Sequence, residues 1–514
     1  MFFKIISIVG SMTFISRVLG YCRDLLIARI IGAGLISDAF FVAFKLPNLF
    51  RRLFAEGSMN SAFIPVVSGI FTKSGRSKAN EFFSKVFSGL LIFLMFLLLI
   101  FEIFMPLIIN LIAPGFSNDP DKFSISVNFA RLSFPFVFFI CLTSLMGSYL
   151  NTLGKFAAMA VTPIILNFTL ISVLLYFFNF SNEKIFITKI LSFSISFAGL
   201  IQVIWLLINL KRNQVKLKFT LPKLLNLSKI NNDTKKFLYL LFPAVIGNGA
   251  YQINLLIDMI LASNLPHGSI SYLYYADRIN QLPLGVFGIA ISTALLPLLS
   301  EQIKRNKIKD SQKTTSSAIK FGFIFAIPAS VGIFFLSNQI VGFLFLRGEF
   351  DLFDLASTSK ALIALSFGLP AFILVKILVV PFFANEDTKT PIKVSIFSMI
   401  INLILNLILI TKYLHVGLAI ATSVSAWINA MVLFMILIKR KIFVFELSIL
   451  NVFFKVCMCS LIMGLLVNYF IGNSFINSID NPFNLEKNVI FLLTIFFAIL
   501  SYVIMIYLSN IKEV

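Results

Sequence analysis

Long apolar runs recur along almost the whole chain, and short polar segments separate them. A helix that crosses the hydrocarbon core of a bilayer needs roughly 20 apolar residues, and we predict fourteen such helices. The second run contains Pro47, Gly57 and Pro65, so we expect its helix to be bent or broken. The predicted helices span approximately residues 3–30, 35–71, 84–112, 124–150, 157–180, 185–210, 236–262, 270–302, 315–346, 355–384, 390–411, 416–438, 449–472 and 487–510.

Composition and charge agree with a multi-pass membrane protein. Of the 514 residues 59% are hydrophobic and 13% are charged, whereas soluble domains have about 25% charged residues. The net charge of +21 would suggest nucleic-acid binding in a soluble protein. Here the cations are concentrated in alternate loops, such as Lys211–Lys236 and Lys304–Lys313, as the positive-inside rule describes. We therefore predict a bacterial inner (cytoplasmic) membrane protein with both termini in the cytoplasm and no nucleic-acid partner.

Several motifs occur twice at an offset of 232–236 residues. Leu46-Pro47 recurs as Leu282-Pro283, Ala62 to Pro65 as Ala294 to Pro297, and Pro135, Asn151 and Lys155 as Pro370, Asn385 and Lys389. The offset spans six predicted helices, an even number, so both copies have the same orientation. We predict two pseudo-symmetric six-helix lobes, followed by two C-terminal helices. The predicted domains are an N-lobe at 1–212, a cytoplasmic amphipathic linker at 213–235, a C-lobe at 236–440, and helices 13 and 14 at 441–514.

Ionisable residues within the predicted spans carry the main functional signal. Each costs roughly 2.5–3.5 kcal/mol at the bilayer centre, so such residues normally face a cavity or a partner. Asp38, Lys45 and Arg52 are spaced by seven and would share one helical stripe. We predict a hydrated, net-positive cavity at the first two spans, with Arg29 outside it as an anchor near a helix end. The nine ionisable residues of these spans are Arg17, Arg23, Asp24, Arg29, Asp38, Lys45, Arg51, Arg52 and Glu56.

A cavity of this charge favours an anion. The guanidinium fork of arginine matches phosphate oxygens and stays charged in a low-dielectric site, and several arginines together suit a pyrophosphate. Arg278 in span eight and Lys376 in span ten could contribute from the second lobe. A local ion pair between Asp277 and Arg278 is the alternative for span eight.

The seventh span contains one carboxylate, Asp258, with no cation nearby in sequence. An intramembrane acid is often a cation or proton site. Hydrogen bonding to Asn254 or Ser263 explains Asp258 equally well, and the sequence leaves both interpretations open.

Specific motifs connect the chain to a known family. They include Ser16-Arg-Val-Leu-Gly20, Arg51-Arg52-Leu-Phe-Ala-Glu-Gly57, Tyr274-Tyr-Ala-Asp-Arg278 and Asp387-Thr-Lys-Thr-Pro391. On these motifs the chain resembles, from end to end, the MurJ/MviN family of lipid II flippases in the MOP exporter superfamily. The resemblance implies an all-α polytopic transporter with fourteen transmembrane helices rather than an enzyme. It would move lipid II, the undecaprenyl-pyrophosphate-linked peptidoglycan precursor, from the cytoplasmic to the periplasmic leaflet by alternating access.

The resemblance also assigns site residues and partners. It places Arg17, Arg23, Arg51, Arg278 and Ser16 in the substrate-binding set. The residues expected to support or gate this set are Asp24, Asp38, Arg52, Glu56, Asp277 and Lys376. No cofactor is expected, although some members bind Na⁺, for which Asp258 and Asp387 would be the carboxylates. Helices 13 and 14 would form a groove for the lipid tail. Expected partners are lipid II, membrane lipids and the cell-division or elongation machinery of cell-wall synthesis.

Other functions remain as alternatives. An O-antigen flippase or another polyprenyl-lipid flippase is not excluded by charge. A MOP-type drug antiporter should have an acidic N-lobe and twelve helices. A polyprenyl-dependent membrane glycosyltransferase would need exposed carboxylates and usually a sizeable outer domain, which the short loops cannot supply.

Overall fold

The fold was determined from a computed structural model that describes residues 2–55, 58–178, 183–219, 232–474, 485–509 and 511. Helix is the only regular secondary structure in these ranges, which confirms the predicted all-α class. The helices are α1 (Phe2–Ile31), α2 (Leu35–Phe50), α3 (Ser58–Ile103), α4 (Met105–Ile112), α5 (Pro120–Ser133), α6 (Pro135–Thr152), α7 (Phe156–Ala160), α8 (Thr162–Tyr176), α9 (Lys184–Arg212), α10 (Asn232–Ala262), α11 (Ser269–Pro283), α12 (Ile289–Lys304), α13 (Ile308–Phe345), α14 (Leu352–Leu378), α15 (Val380–Ala384), α16 (Lys389–Lys439), α17 (Leu447–Ser474) and α18 (Leu485–Leu508).

The described residues contain ten helical stretches that are long and apolar enough to cross a membrane. Two of them are long enough for two crossings each, at roughly 20 residues per crossing. Leu35–Ile103 has 69 residues and a kink at Gly75 (φ 77°), and Lys389–Lys439 has 51 residues and a kink at Leu414 (φ 51°). Helices α1 and α10 are 30 and 31 residues long. Together these account for the fourteen predicted helices.

The second predicted span is irregular, as its prolines predicted. Pro47 lies inside α2, and the chain continues from α2 into a π-helical segment at Arg51–Ala55. The same arrangement occurs in the second half of the chain, where Pro283 ends α11 and a π-helical segment follows at Leu284–Gly288. A proline cannot donate the i to i−4 hydrogen bond and pushes the preceding turn aside, and π-helical turns are frequent at functional sites.

The chain divides into two compact units, Met1–Gly268 and Ser269–Val514. In the first unit α1 packs against α8, α2 against α5, and α3 against both α6 and α10, while α9 contacts α6 and α8. Helix α10 thus groups with the first unit through its packing on α3. The predicted lobe boundaries stay predictions, and most of the predicted linker, at 220–231, lies outside the described residues.

In the second unit α14 packs against α11, α13 and α16, and the last two helices attach through α13. Leu336 of α13, Met463 and Val467 of α17, and Tyr502 of α18 belong to one buried apolar cluster. The Tyr502 hydroxyl donates a hydrogen bond of 2.7 Å to the Ile324 carbonyl. Helices α17 and α18 are therefore fixed to the unit by their own apolar core. Whether they form a groove for a lipid tail stays a prediction.

The contact between α17 and α13 depends on a glycine. A Cβ added at Gly464 would lie 2.4 Å from ring atoms of Phe335 and 2.8 Å from Val331. By contrast, a Cβ at Gly332 of α13 would meet only the end of Met463 at 3.9 Å. Gly464 therefore allows a close approach of the two helices.

We expect Gly464→Ala to lower the apparent melting temperature of the purified protein in detergent. Overpacking typically costs 1–3 kcal/mol, more than the roughly 0.8–1 kcal/mol that alanine gains over glycine in a helix. Gly332→Ala is the matched control and should leave the melting temperature equal or higher. A melting temperature for Gly464→Ala as high as that of the control would contradict the close approach.

Candidate functional site

Arg23 lies in the interior of the first unit and is held from three sides. Its side chain is 6% exposed, and Nη2 lies 2.7 Å from Oδ1 of Asp24. Nη1 donates to Oδ1 of Asn167 at 2.9 Å, and the guanidinium lies 5.5 Å from the centre of the Phe44 ring. A buried guanidinium requires such acceptors because the cost of removing it from water is high. Asp24, one of the residues expected to support or gate the binding set, is thus the ion-pair partner of Arg23.

Asn167 of α8 is a site residue that the sequence reasoning missed. Its amide nitrogen donates to the carbonyl of Ser16 at 2.9 Å, while its oxygen accepts from Arg23. A Cβ at Gly20 would lie 3.4 Å from the Asn167 amide nitrogen, an ordinary van der Waals distance, so α1 and α8 lie close together at this point. An asparagine buried within the apolar run of α8 was the signal that could have identified it. One amide of α8 therefore links Ser16 and Arg23 of α1, and Asp24 joins this cluster through its ion pair with Arg23.

The remaining cations of the first unit differ from Arg23 in exposure. Arg17 is exposed and forms no hydrogen bond or ion pair with the residues that the structure describes. Arg51 is partly buried, and its Nε donates to Oδ1 of Asn48 at 3.3 Å. Arg52 is also partly buried, in the π-helical segment that begins at Arg51. Glu56, which the resemblance also placed among the supporting or gating residues, lies outside the described residues.

In the second unit the predicted site residues lie on α11 and α14. Nη2 of Arg278 donates to the Tyr274 hydroxyl at 2.8 Å, and the guanidinium lies 4.8 Å from the centre of the same ring. Asp277 is exposed and accepts a hydrogen bond from Gln281. Lys376 of α14 is exposed. The tyrosine thus holds the Arg278 side chain in place.

Asp38 occupies a different environment from the one that the spacing predicted. The spacing put it on a stripe with Lys45 and Arg52, but its side chain is 1% exposed and pairs with Lys122 of α5, with Oδ2 3.0 Å from Nζ. The Gly268 amide donates to the same oxygen at 2.8 Å. Lys122 Nζ also lies 3.2 Å from Nδ1 of His267. Asp38 thus ties α2 to α5 and to the segment after α10.

The second unit has a comparable contact at the repeat-related positions. The Tyr272 hydroxyl of α11 donates to Oδ1 of Asp354 of α14 at 3.0 Å. Tyr272 and Asp354 follow Asp38 and Lys122 by 234 and 232 residues, within the range of the repeat offsets. The helix before each π-helical segment is therefore joined to its neighbour by a polar pair in both halves of the chain.

The two carboxylates of the predicted sodium site differ in their suitability for a cation. Asp258 is partly buried in α10. Asp387 lies between α15 and α16, where hydrogen bonds from the Thr390 hydroxyl and amide and from Arg440 hold its pKa well below its usual range. Arg440 Nη1 is 2.6 Å from Oδ2 of Asp387, so a guanidinium already occupies the place of a cation. Asp387 does not fit a sodium ion in this arrangement, and a role for Asp258 stays a prediction.

We expect Asp38→Asn to destabilise the protein, because the asparagine can still accept from Gly268 but leaves the Lys122 charge buried without a counter-charge. Breaking a buried pair typically costs 3–5 kcal/mol, whereas replacing both partners costs much less. The double variant Asp38→Asn/Lys122→Met should therefore recover part of the melting temperature that Asp38→Asn loses. Equal melting temperatures for the single and double variants would refute a buried ion pair.

A second expectation concerns the bridge between α1 and α8. Asn167→Leu removes an acceptor from the buried Arg23 and a donor from the Ser16 carbonyl, at a typical cost of 1–3 kcal/mol for each group left unsatisfied. The apparent melting temperature should fall. Ser172→Ala on the same helix is the control. The Ser172 hydroxyl donates to the Phe168 carbonyl at an exposed position, so this change should leave the melting temperature nearly unaltered. An unchanged melting temperature for Asn167→Leu would show that the bridge does not stabilise the unit.

The helical fold is similar to the fold of transporters of the MOP superfamily. The structure aligns with an inward-facing multidrug resistance MATE transporter of that superfamily at a TM-score of 0.67, covering 85% of this chain and 97% of that one. The sequence identity is 14%, so this likeness concerns the fold alone. The structure of this chain aligns better with a lipid II flippase MurJ in an inward closed conformation. The TM-score is 0.80, the sequence identity is 30%, and the alignment covers 97% of each chain.

Sequence comparison gives the same family. The profile described as Lipid II flippase MurJ matches residues 27–478. A probable lipid II flippase MurJ of Rickettsia prowazekii (strain Madrid E) is 38% identical over 460 residues, 90% of this chain and 88% of that protein. A second probable lipid II flippase MurJ, of Haemophilus influenzae, is 35% identical, and the alignment covers 90% of this chain and 91% of that protein. The chain belongs to the lipid II flippase MurJ family, as its motifs indicated.

Proposed function

We propose that this protein moves lipid II from the cytoplasmic to the periplasmic leaflet of the bacterial inner membrane, with the pyrophosphate bound by arginines. Family membership over residues 27–478 supports the substrate. The observation that carries the binding mode is the contrast between Arg23, which is buried and partnered, and Arg17, which is exposed on the same helix. A fixed guanidinium positions the helix, and a neighbouring free one can bind an anion.

The chemistry of the arginines fits a pyrophosphate. Arg17 is exposed and forms no hydrogen bond or ion pair with the residues that the structure describes, so its guanidinium can reach a ligand. Arg51 is partly buried, and its Nε donates to Asn48. Guanidinium donors match phosphate oxygens in pairs, and they remain charged away from water. Arg278, steadied by Tyr274, is the candidate from the second unit. In this proposal Ser16, Asp24 and Asn167 position Arg23, while Arg17, Arg51 and Arg278 bind the substrate.

Transport would proceed by alternating access, with the sugar and peptide in the cavity and the polyprenyl tail in the lipid. Lysines and arginines in alternate loops support cytoplasmic termini. An inside-negative potential assists the outward movement of the pyrophosphate by about 2.3 kcal/mol per charge per 100 mV across the full field. The same field favours return of the empty cationic cavity. Sodium coupling through Asp258, and contacts with the division or elongation machinery, are further parts of this proposal.

The test uses Arg17→Gln, Arg51→Gln and Arg278→Gln. Each should fail to support growth of cells depleted of their own lipid II flippase. In proteoliposomes, each should slow the flipping of fluorescent lipid II by about tenfold or more, which corresponds to loss of one charge-assisted contact of roughly 1.5–3 kcal/mol. Replacement by lysine should restore part of the rate, because the charge remains without the planar fork.

Arg29→Gln is the matched control on α1. The Arg29 guanidinium lies 4.0 Å from the centre of the Phe178 ring, and Arg29 is outside the proposed binding set, so full complementation is expected. The proposal is refuted if the Arg17, Arg51 and Arg278 variants, at normal expression, flip lipid II as fast as the Arg29 variant.

A further inference from the structure

A basic cleft lies at the end of the first unit that carries the predicted cytoplasmic loops. It has a volume of about 320 Å³, and it is located where α6 and α9 end and where α3 turns at Gly75. None of the described residues that line it is acidic. The lining residues are Arg76, Leu153, Lys155, Arg212, Asn213 and Gln214.

A second, mainly apolar cleft of about 210 Å³ adjoins the basic cleft. The two share Lys155 and Asn213 in their walls. The apolar part of the second cleft is formed by Val9 of α1, Phe156, and Ala157 with Ala158 of α7. A cationic opening thus lies beside an apolar slot, with Lys155 and Asn213 in the walls of both. An amphiphile with an anionic head and an apolar body matches this combination.

The cations of the basic cleft are not needed to close the helices beside it. At the end of α9 the Val215 amide donates to the Leu210 carbonyl at 3.0 Å, and at the end of α6 the Lys155 amide donates to the Leu150 carbonyl at 2.9 Å. Both ends are therefore closed by backbone hydrogen bonds. Of the three cations of the cleft, Arg76 is the one that donates a side-chain hydrogen bond within the described residues, to the carbonyl of Asn213.

The charge balance of the cleft remains positive after the helix dipoles are counted. Each helix C-terminus carries about half a negative charge, and two of them meet three cations, Arg76, Lys155 and Arg212. All three side chains are exposed, so their remaining donors can reach a ligand. Phosphate oxygens are the acceptors that guanidinium and ammonium groups bind best.

We propose that this pair of clefts binds an anionic phospholipid, with the phosphate held by Arg76, Lys155 and Arg212 and the glycerol and upper acyl region in the apolar slot. The site is separate from Arg17, Arg23 and Arg51 and does not depend on the proposed transport function. Basic residues near a membrane surface attract anionic lipids, so three of them can select an anionic lipid over a zwitterionic one.

A tryptophan beside the apolar slot provides the measurement. Trp205 of α9 donates its indole N–H to the carbonyl of Ala158, a residue of the slot, at 3.0 Å. The chain has two tryptophans, so Trp427→Phe leaves Trp205 as the sole reporter. The full chain with this change is placed in nanodiscs that contain brominated phosphatidylglycerol or brominated phosphatidylcholine, and quenching of Trp205 is followed against the mole fraction of brominated lipid.

Brominated phosphatidylglycerol should reach half-maximal quenching at a mole fraction about tenfold lower than brominated phosphatidylcholine. In Arg76→Gln/Lys155→Gln/Arg212→Gln the two lipids should quench alike. The control Lys304→Gln/Lys309→Gln/Lys313→Gln removes the same charge from exposed residues of another predicted cytoplasmic loop and should keep the preference. Equal quenching by both lipids before any charge is removed overturns the proposal, as does an equal loss of preference in the two triple variants.

A final arm distinguishes the lipid from a soluble anion. Inorganic phosphate is added at constant ionic strength to nanodiscs with brominated phosphatidylglycerol. Quenching that persists supports a lipid held by its head and its acyl region together. Complete relief of quenching at low millimolar phosphate would show a site for soluble phosphate and would overturn the assignment to a lipid.

Discussion

The cost of placing a charge away from water governs the first unit of this protein. Two ion pairs satisfy that constraint in its interior, Arg23 with Asp24 and Asp38 with Lys122. Each buried pair also reaches a second helix or segment, through Asn167 in one case and Gly268 in the other. Because leaving either partner alone would be costly, these contacts fix the register of α1 against α8 and of α2 against α5. The exposed cations are carried on helices whose positions are set in this way.

This constraint separates arginines that look alike in the sequence. The family resemblance gives Arg17 and Arg23 the same role, yet Arg23 is enclosed by Asp24, Asn167 and the Phe44 ring, while Arg17 is exposed. A guanidinium whose donors are used by the protein has few left for a ligand. In the proposed site Arg23 would therefore position α1, and Arg17 would bind the substrate. Spacing along a helix cannot make this distinction, since it depends on which neighbour supplies an acceptor.

The two halves of the chain retain a common geometry with different chemistry. A proline and a π-helical segment follow each other at Pro47 and at Pro283. The helix before each π-helical segment is joined to a neighbouring helix by a polar pair. Asp38 of α2 pairs with Lys122 of α5, and Tyr272 of α11 pairs with Asp354 of α14. The first half uses an ion pair between a lysine and an aspartate, and the second half uses a hydrogen bond from a tyrosine hydroxyl to an aspartate. The repeat thus preserves the place where the helices are joined, while the side chains that join them have diverged.

The sequence by itself determined the all-α class, the fourteen helices, the break in the second span and the family, because hydrophobic length and proline geometry are local properties. It also located the ionisable residues of α1 and α2. Only the tertiary structure decided their partners: the missed Asn167, the pairing of Asp38 with Lys122 rather than with a stripe of α2, and the engagement of Asp387 by Arg440. These contacts join residues 53 to 144 positions apart. Such pairs are set by helix packing, which brings together side chains that no local pattern relates.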